Sequence, residues 1–109
     1  MLKENDKINL NLELTDINQN KVTLKDILNS KAVIYFYPKD LTPGCTTEAC
    51  EFRDFNNDIK NLGYKIIGIS SDDHKSHQKF IDKHQLNFDL YSDQEKQVQE
   101  HFGDPKAGR

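Results

Sequence analysis

Apolar and polar residues alternate strictly over Ile8-Asn-Leu-Asn-Leu-Glu-Leu14, the period of a half-buried strand, which predicts Ile8, Leu10, Leu12 and Leu14 on its inner face. The turn-forming run Thr15-Asp-Ile-Asn-Gln-Asn20 follows, and Lys21-Val-Thr-Leu24 reads as the returning strand of an N-terminal hairpin. A short helix is expected over Leu24–Leu28, closed by Asn29-Ser30. Alternation then gives way to an unbroken apolar and aromatic run, Ala32-Val-Ile-Tyr-Phe-Tyr37. A run of this length without alternation predicts a central strand buried on both faces, as in a parallel sheet covered by helices. Pro38, with no N–H for a ladder, ends it.

After the loop Lys39–Gly44 the period changes to that of a helix. Ala49, Phe52, Phe55, Ile59 and Leu62 form one apolar stripe, so a helix is expected from Cys45 to about Leu62, with Gly63 as its C-terminal cap. Tyr64–Ser70 reads as a second buried strand, and Ser71-Asp-Asp73 supplies caps for a helix from about His74 to His84 facing inward through Phe80 and Ile81. Phe88-Asp-Leu-Tyr91 is expected as a short strand. Ser92-Asp93 can cap a last helix, Gln94–Phe102, with Val98 and Phe102 on one side, before Gly103 and a polar tail to Arg109. Strands alternating with helices through short loops predict right-handed crossovers and one α/β domain over residues 1–109.

Composition narrows the function. The 109 residues suffice for one modest core, and although only 35% are hydrophobic they are clustered rather than diluted. Fifteen basic and eighteen acidic residues give a net charge of −3 with the signs interspersed, which disfavours nucleic acid and anionic membrane as partners. No stretch has the length of a membrane span, and the residues after Met1 lack a secretory signal, so a cytoplasmic protein is expected. In that reducing compartment its two cysteines are expected to be thiols rather than a permanent disulfide.

Both cysteines lie where the aromatic strand hands over to the first long helix. Cys45 falls at the expected helix start, beyond the C-terminal end of a strand, where open α/β sheets bind ligands. Free N–H groups and the positive end of the helix dipole favour a thiolate there, the nucleophilic form. Thr42 is placed to offer a hydroxyl to the sulfur or to an oxygen-containing substrate, while Pro38 and Pro43 stiffen the loop. Cys50 is five residues on. In a regular helix the two side chains point ~140° apart and the Cα atoms lie ~8.6 Å apart, beyond disulfide reach. A Cys45–Cys50 bond therefore requires the first turns to unwind. His74-Lys-Ser-His77 has a ligand-like spacing, but no compact zinc module matches it; two exposed helix histidines are expected, with no metal and no cofactor.

Pro38-Lys-Asp-Leu-Thr42-Pro-Gly-Cys45 resembles the Pro-x-x-x-Thr-x-x-Cys motif of the peroxiredoxins, and Thr42-Pro-Gly-Cys45-Thr-Thr-Glu-Ala-Cys50 resembles their bacterioferritin-comigratory, or Q-type, subfamily. The resemblance runs from the hairpin to about Gly103. It implies a thioredoxin-like fold and a thiol peroxidase for hydrogen peroxide and organic hydroperoxides. Cys45 would be the peroxidatic cysteine that becomes a sulfenic acid, and Cys50 the resolving cysteine. Thr42 would hold the peroxide oxygens, Pro38 would shield the site, and a thioredoxin-type reductant would restore the dithiol. It also implies a monomer, and a fold that continues with further strands, a helix and an arginine near the start of that segment. Arg109, six residues after Gly103, is not equated with that arginine, nor is Arg53, although the latter can approach the site. A shortened fold predicts an open sheet edge, with low stability or association through it. Two other readings stay open: a non-enzymatic peroxiredoxin fragment, and a protein disulfide oxidoreductase, whose cysteines usually stand two residues apart.

Overall fold

The computed structural model describes residues 9–28 and 31–102. Ile8, Asn29, Ser30, Gly103 and the tail to Arg109 lie outside the described residues. The hairpin is present, with β1 (Glu13–Thr15) and β2 (Lys21–Thr23) antiparallel and Leu14 opposite Val22. Asp16 builds its turn by accepting the N–H groups of Asn18 and Asn20.

β1 starts five residues later than the alternation predicts, and Leu10 is 41% exposed. The carbonyls of Leu10 and Leu12 accept instead from Lys25 and Leu24, at 3.0 and 2.9 Å, so this segment serves the start of α1 (Leu24–Ile27) rather than a ladder. Thr23 and Asp26 close the same helix end with a reciprocal capping box.

Three parallel strands follow, β3 (Ala32–Phe36), β4 (Lys65–Ser70) and β5 (Asp89–Ser92), in a five-stranded sheet ordered β2-β1-β5-β4-β3. The register sets Tyr35 opposite Gly68 and Gly68 opposite Leu90. α2 (Pro43–Asn61) and α3 (His74–His84) cover one face over Tyr35, Tyr37, Ile66 and Leu90. α1 and α4 (Gln97–Phe102) cover the other over Leu14, Ile67 and Ile69. The thioredoxin-like α/β fold expected from the sequence is the one observed. Among the described residues, however, β3 has a single strand neighbour. It stands at the edge of the described sheet, and within it only Tyr35 is buried.

Helix α2 shows a second difference. At 100° per residue, Cys45, Ala49, Phe52, Asn56 and Ile59 share an arc of ~80°, while Phe55 and Leu62 fall outside it. Those two are 60% and 73% exposed, and Asn56 is buried in their stead, its amide donating to the Asn87 carbonyl and side-chain oxygens. α3 has the predicted limits. α4 starts three residues late because the chain first turns through Lys96 at φ 59, with buried Asp93 accepting from Gln99 N–H. No helix among the described residues is long and apolar enough to cross a membrane.

Candidate active site

α2 begins at Pro43, two residues before the expected start, with proline where a helix needs no N–H. Thr42 is its N-cap, in extended conformation at φ −78 and ψ 150, yet its side chain does not cap the helix. The hydroxyl turns back and donates to the Lys39 carbonyl at 3.0 Å, so in this state its proton is not given to the Cys45 sulfur. Intrahelical bonding starts at Thr46 N–H to Thr42 O, 2.8 Å. The amides of Gly44 and Cys45 therefore have no intrahelical acceptor, and the positive end of a 19-residue helix opens beside the thiol.

Cys45 is half-buried against the aromatic core, and it lines a cleft of about 420 Å³ with Pro38, Thr42, Gly44 and Glu48. The structure thus brings Cys45, Thr42 and Pro38 to one opening at the end of β3. Cys50 does not line that cleft; it stands farther along α2, half-buried. Both thiols are free, and the helix runs unbroken through them. Regular helix geometry keeps their Cα atoms ~8.6 Å apart.

Behind the thiol, Tyr35 stacks on Phe52 and Tyr37 with ring centroids 4.6 and 5.5 Å away. Gly68 makes room for that ring, since a Cβ there would come within 3.1 Å of it. The Tyr35 hydroxyl is buried without a hydrogen-bond partner. Its titration is pushed well above the ordinary tyrosine range by burial first, then by Glu48, Asp40 and Cys45, so it stays a neutral phenol.

One part of the site is absent from the sequence reading. Asp40 and His77 are 4% and 0% exposed, and the carboxylate meets the imidazole at 2.7 Å and the Tyr37 hydroxyl at 2.5 Å. His77 was expected on the surface; it is buried because it precedes Phe80 by three residues and so shares its inward face. That spacing is a signal the sequence carried, whereas nothing in the loop sequence singles out Asp40. Both nitrogens of the His77 ring are engaged, Nδ1 with Asp40 and Nε2 with the Tyr91 carbonyl at 3.1 Å. His74 sits apart, its ring 2.6 Å from the Gln19 amide.

Arg53 does not reach the cleft. Its guanidinium donates to the His84 carbonyl at 2.6 Å and pairs with Asp54 at 3.0 Å, which orients it toward the end of α3. Its titration is raised by that Asp54 bond first.

A family model described as the AhpC/TSA family matches residues 6–107. The chain is similar to peroxiredoxin Bcp of Bacillus subtilis, 47% identical over 91 residues, covering 84% of this chain and 58% of the relative. Among solved structures it resembles the bacterioferritin comigratory protein of Xanthomonas campestris, whose study concerns alkyl peroxide reduction. That match has a TM-score of 0.79 and 38% identity, over 85% of this chain and 59% of the other. It also resembles PrxQ of Xylella fastidiosa, with a TM-score of 0.81 and 36% identity, over 89% of this chain and 63% of the other. The chain thus spans roughly three fifths of the length of the proteins it matches. With the cysteine at an open helix end, the threonine and proline on its cleft and a match along nearly its whole length, this chain belongs to the AhpC/TSA family, among its Bcp and Q-type peroxiredoxins.

Proposed function

We propose that the chain is a thiol peroxidase, with Cys45 as the reacting group. The observation that carries this reading is the uncapped start of α2, which leaves two amides and the helix dipole beside a half-buried thiol. The Cys45 thiolate attacks the nearer peroxide oxygen; the S–O bond forms, the O–O bond breaks, and the leaving oxygen takes a proton to become water or an alcohol. The cysteine is oxidised to a sulfenic acid. Thr42 orients the peroxide, and its hydroxyl must exchange its bond to Lys39 for one to the substrate. Pro38 walls the cleft. Cys50 then attacks the sulfenic sulfur after the first turns of α2 open; an S–S bond forms and water leaves. A thioredoxin-type dithiol reduces the disulfide by exchange, in the cytoplasm where such dithiols are kept reduced. The alkyl peroxide reduction studied in the Xanthomonas relative extends the substrate class to organic hydroperoxides.

The test couples peroxide consumption to thioredoxin oxidation, with Cys45→Ser as control. Turnover lost in Cys45→Ser supports the assignment, and turnover that survives it ends the assignment. A second reading, a peroxiredoxin chain without peroxidase turnover, is favoured by one observation: Arg53, the sole arginine among the described residues, points to α3 and not to the cleft. Sulfenic acid formation at Cys45 no faster than in free cysteine would establish that second reading.

A further inference from the structure

We propose that the buried Tyr37–Asp40–His77 bridge is the positioning device of the peroxide cleft, holding the Pro38–Thr42 turn against β4 and α3 and so setting Thr42 relative to Cys45. This rests on the thiol-peroxidase reading above. Asp40 is tied down on both its backbone and its side chain. Its N–H donates to the Asp72 carboxylate at 2.7 Å, and the same Asp72 oxygen accepts from the Ser70 hydroxyl at 2.8 Å. Its carboxylate accepts from the Tyr37 hydroxyl and meets His77 Nδ1. A surface turn needs none of these long-range bonds, which reach 32 and 37 residues along the chain.

Proton accounting explains how the bridge is tolerated in the interior. The Tyr91 carbonyl only accepts, so His77 Nε2 carries a proton. One further proton lies between Nδ1 and the carboxylate. Whichever atom holds it, as imidazolium with carboxylate or imidazole with carboxylic acid, the pair has no net charge. Tyr37 offers Asp40 a hydrogen bond but no positive charge, since a phenol is either neutral or anionic. Burial first and Asp40 next hold its hydroxyl far above the ordinary tyrosine range, so it stays a neutral donor. Removing His77 would leave the buried Asp40 carboxyl without this partner, either as an unpaired carboxylate or as an acid proton with no imidazole to accept it.

The geometry links the bridge to the site. Tyr37 both lines the Cys45 cleft and donates to Asp40. Between Asp40 and Thr42 stands Leu41, exposed and held at φ 62, a left-handed conformation that branched-chain residues seldom adopt without restraint. The anchored Asp40 supplies that restraint, and Thr42 takes its position from it.

The experiment compares the full chain with Asp40→Ala, His77→Phe, Asp40→Asn and the double variant Asp40→Asn/His77→Phe. Three readouts are taken: the rate of Cys45 oxidation by hydrogen peroxide, its alkylation by iodoacetamide, and amide exchange over residues 38–42. Alkylation needs only the thiolate, whereas the peroxide reaction also needs Thr42 in place. In Asp40→Ala and His77→Phe the peroxide rate is expected to fall about tenfold or more while alkylation changes by less than about threefold. Exchange over residues 38–42 is expected to accelerate in both. Asp40→Asn, whose amide can donate to neutral His77 and accept from Tyr37, is expected to keep most of the peroxide rate and to rescue His77→Phe in part. Folded Asp40→Ala and His77→Phe with wild-type exchange and wild-type peroxide rates would overturn the proposal. So would Asp40→Asn falling as far as Asp40→Ala. If a deletion variant does not fold, Asp40→Asn decides on the same two readouts. If the unaltered chain meets peroxide no faster than free cysteine, the peroxidase reading fails, and exchange over residues 38–42 alone decides the bridge.

Discussion

Two strand-to-helix junctions stand side by side at one end of the sheet and are finished in opposite ways. After β4, Asp73 caps α3 in the ordinary manner, its side chain accepting from Ser76 N–H at 2.8 Å and its carbonyl from His77 N–H at 3.1 Å. After β3, Thr42 occupies the same position on α2 and withholds its side chain, leaving the helix end open toward Cys45. The first junction has a side chain on its free amides, and the second leaves them open, where the proposed function would use them. They are also not independent, since Asp72 and His77, both from the closed junction, hold Asp40 of the open one. The helix end left open at Cys45 is thus braced by a neighbour that is closed.

The largest effect is expected from making the open junction resemble the closed one. Thr42→Asp would install a capping carboxylate beside the sulfur, and the peroxide rate should drop by about two orders of magnitude with no loss of melting temperature. Stopped-flow oxidation and a thermal melt read the two quantities; a faster reaction would break the comparison. Thr42→Val removes the hydroxyl without adding charge. It should cost about tenfold in the peroxide rate, with alkylation by iodoacetamide nearly unchanged. An equal loss in both assays would mean that Thr42 acts on the thiolate rather than on the peroxide.

Smaller effects belong to the closed junction. Asp73→Ala should lower the melting temperature while the peroxide rate stays as it is. The pH dependence fixes the sign. The Ser76 backbone bond holds Asp73 below the ordinary carboxylate range, so its stabilisation is present above the unfolded value of about 3.9 and is lost as pH falls through the folded one. The gap in melting temperature between Asp73→Ala and the unaltered chain should therefore close on acidification. Asp93 has the opposite sign, because burial raises it, and its contribution is lost as pH rises through its folded value. The least effect is expected at Tyr35→Phe, which removes a buried hydroxyl without a partner and should leave stability equal or higher in a denaturant titration.

What the sequence disclosed followed from local rules. The limits of α3 are legible because Asp73 caps a helical stretch that ends at Gln85 in a left-handed turn at φ 51. The hairpin and the Pro38–Cys45 loop are equally local. The misreadings come from tertiary competition. Alternation from Leu10 to Leu14 is satisfied as well by a turn whose carbonyls serve α1 as by a strand. Phe55 and Leu62 extend the α2 stripe by spacing, yet the narrower arc with Asn56 is what meets the sheet. The long run Ala32–Tyr37 reads as a central strand, and only the sheet order shows that among the described residues one side has no strand partner. The Asp40–His77 bridge joins residues 37 apart, and no pattern within a single element announces such a pair.

The one-sided pairing of β3 among the described residues has a colloidal consequence. Among the described residues its far side has no strand partner, and it is bracketed by Lys31 and Lys39, both exposed, and followed by Pro38. Two copies that meet along this strand bring like charges together before any ladder can form, which is how natural sheet edges are kept from one another. The restraint is electrostatic and so can be screened: salt that shortens the Debye length from ~30 Å at 0.01 M to ~3 Å at 1 M relaxes it. Light scattering across that range should show particle size rising with ionic strength, and a Lys31→Gln/Lys39→Gln variant should reach the same size at low salt.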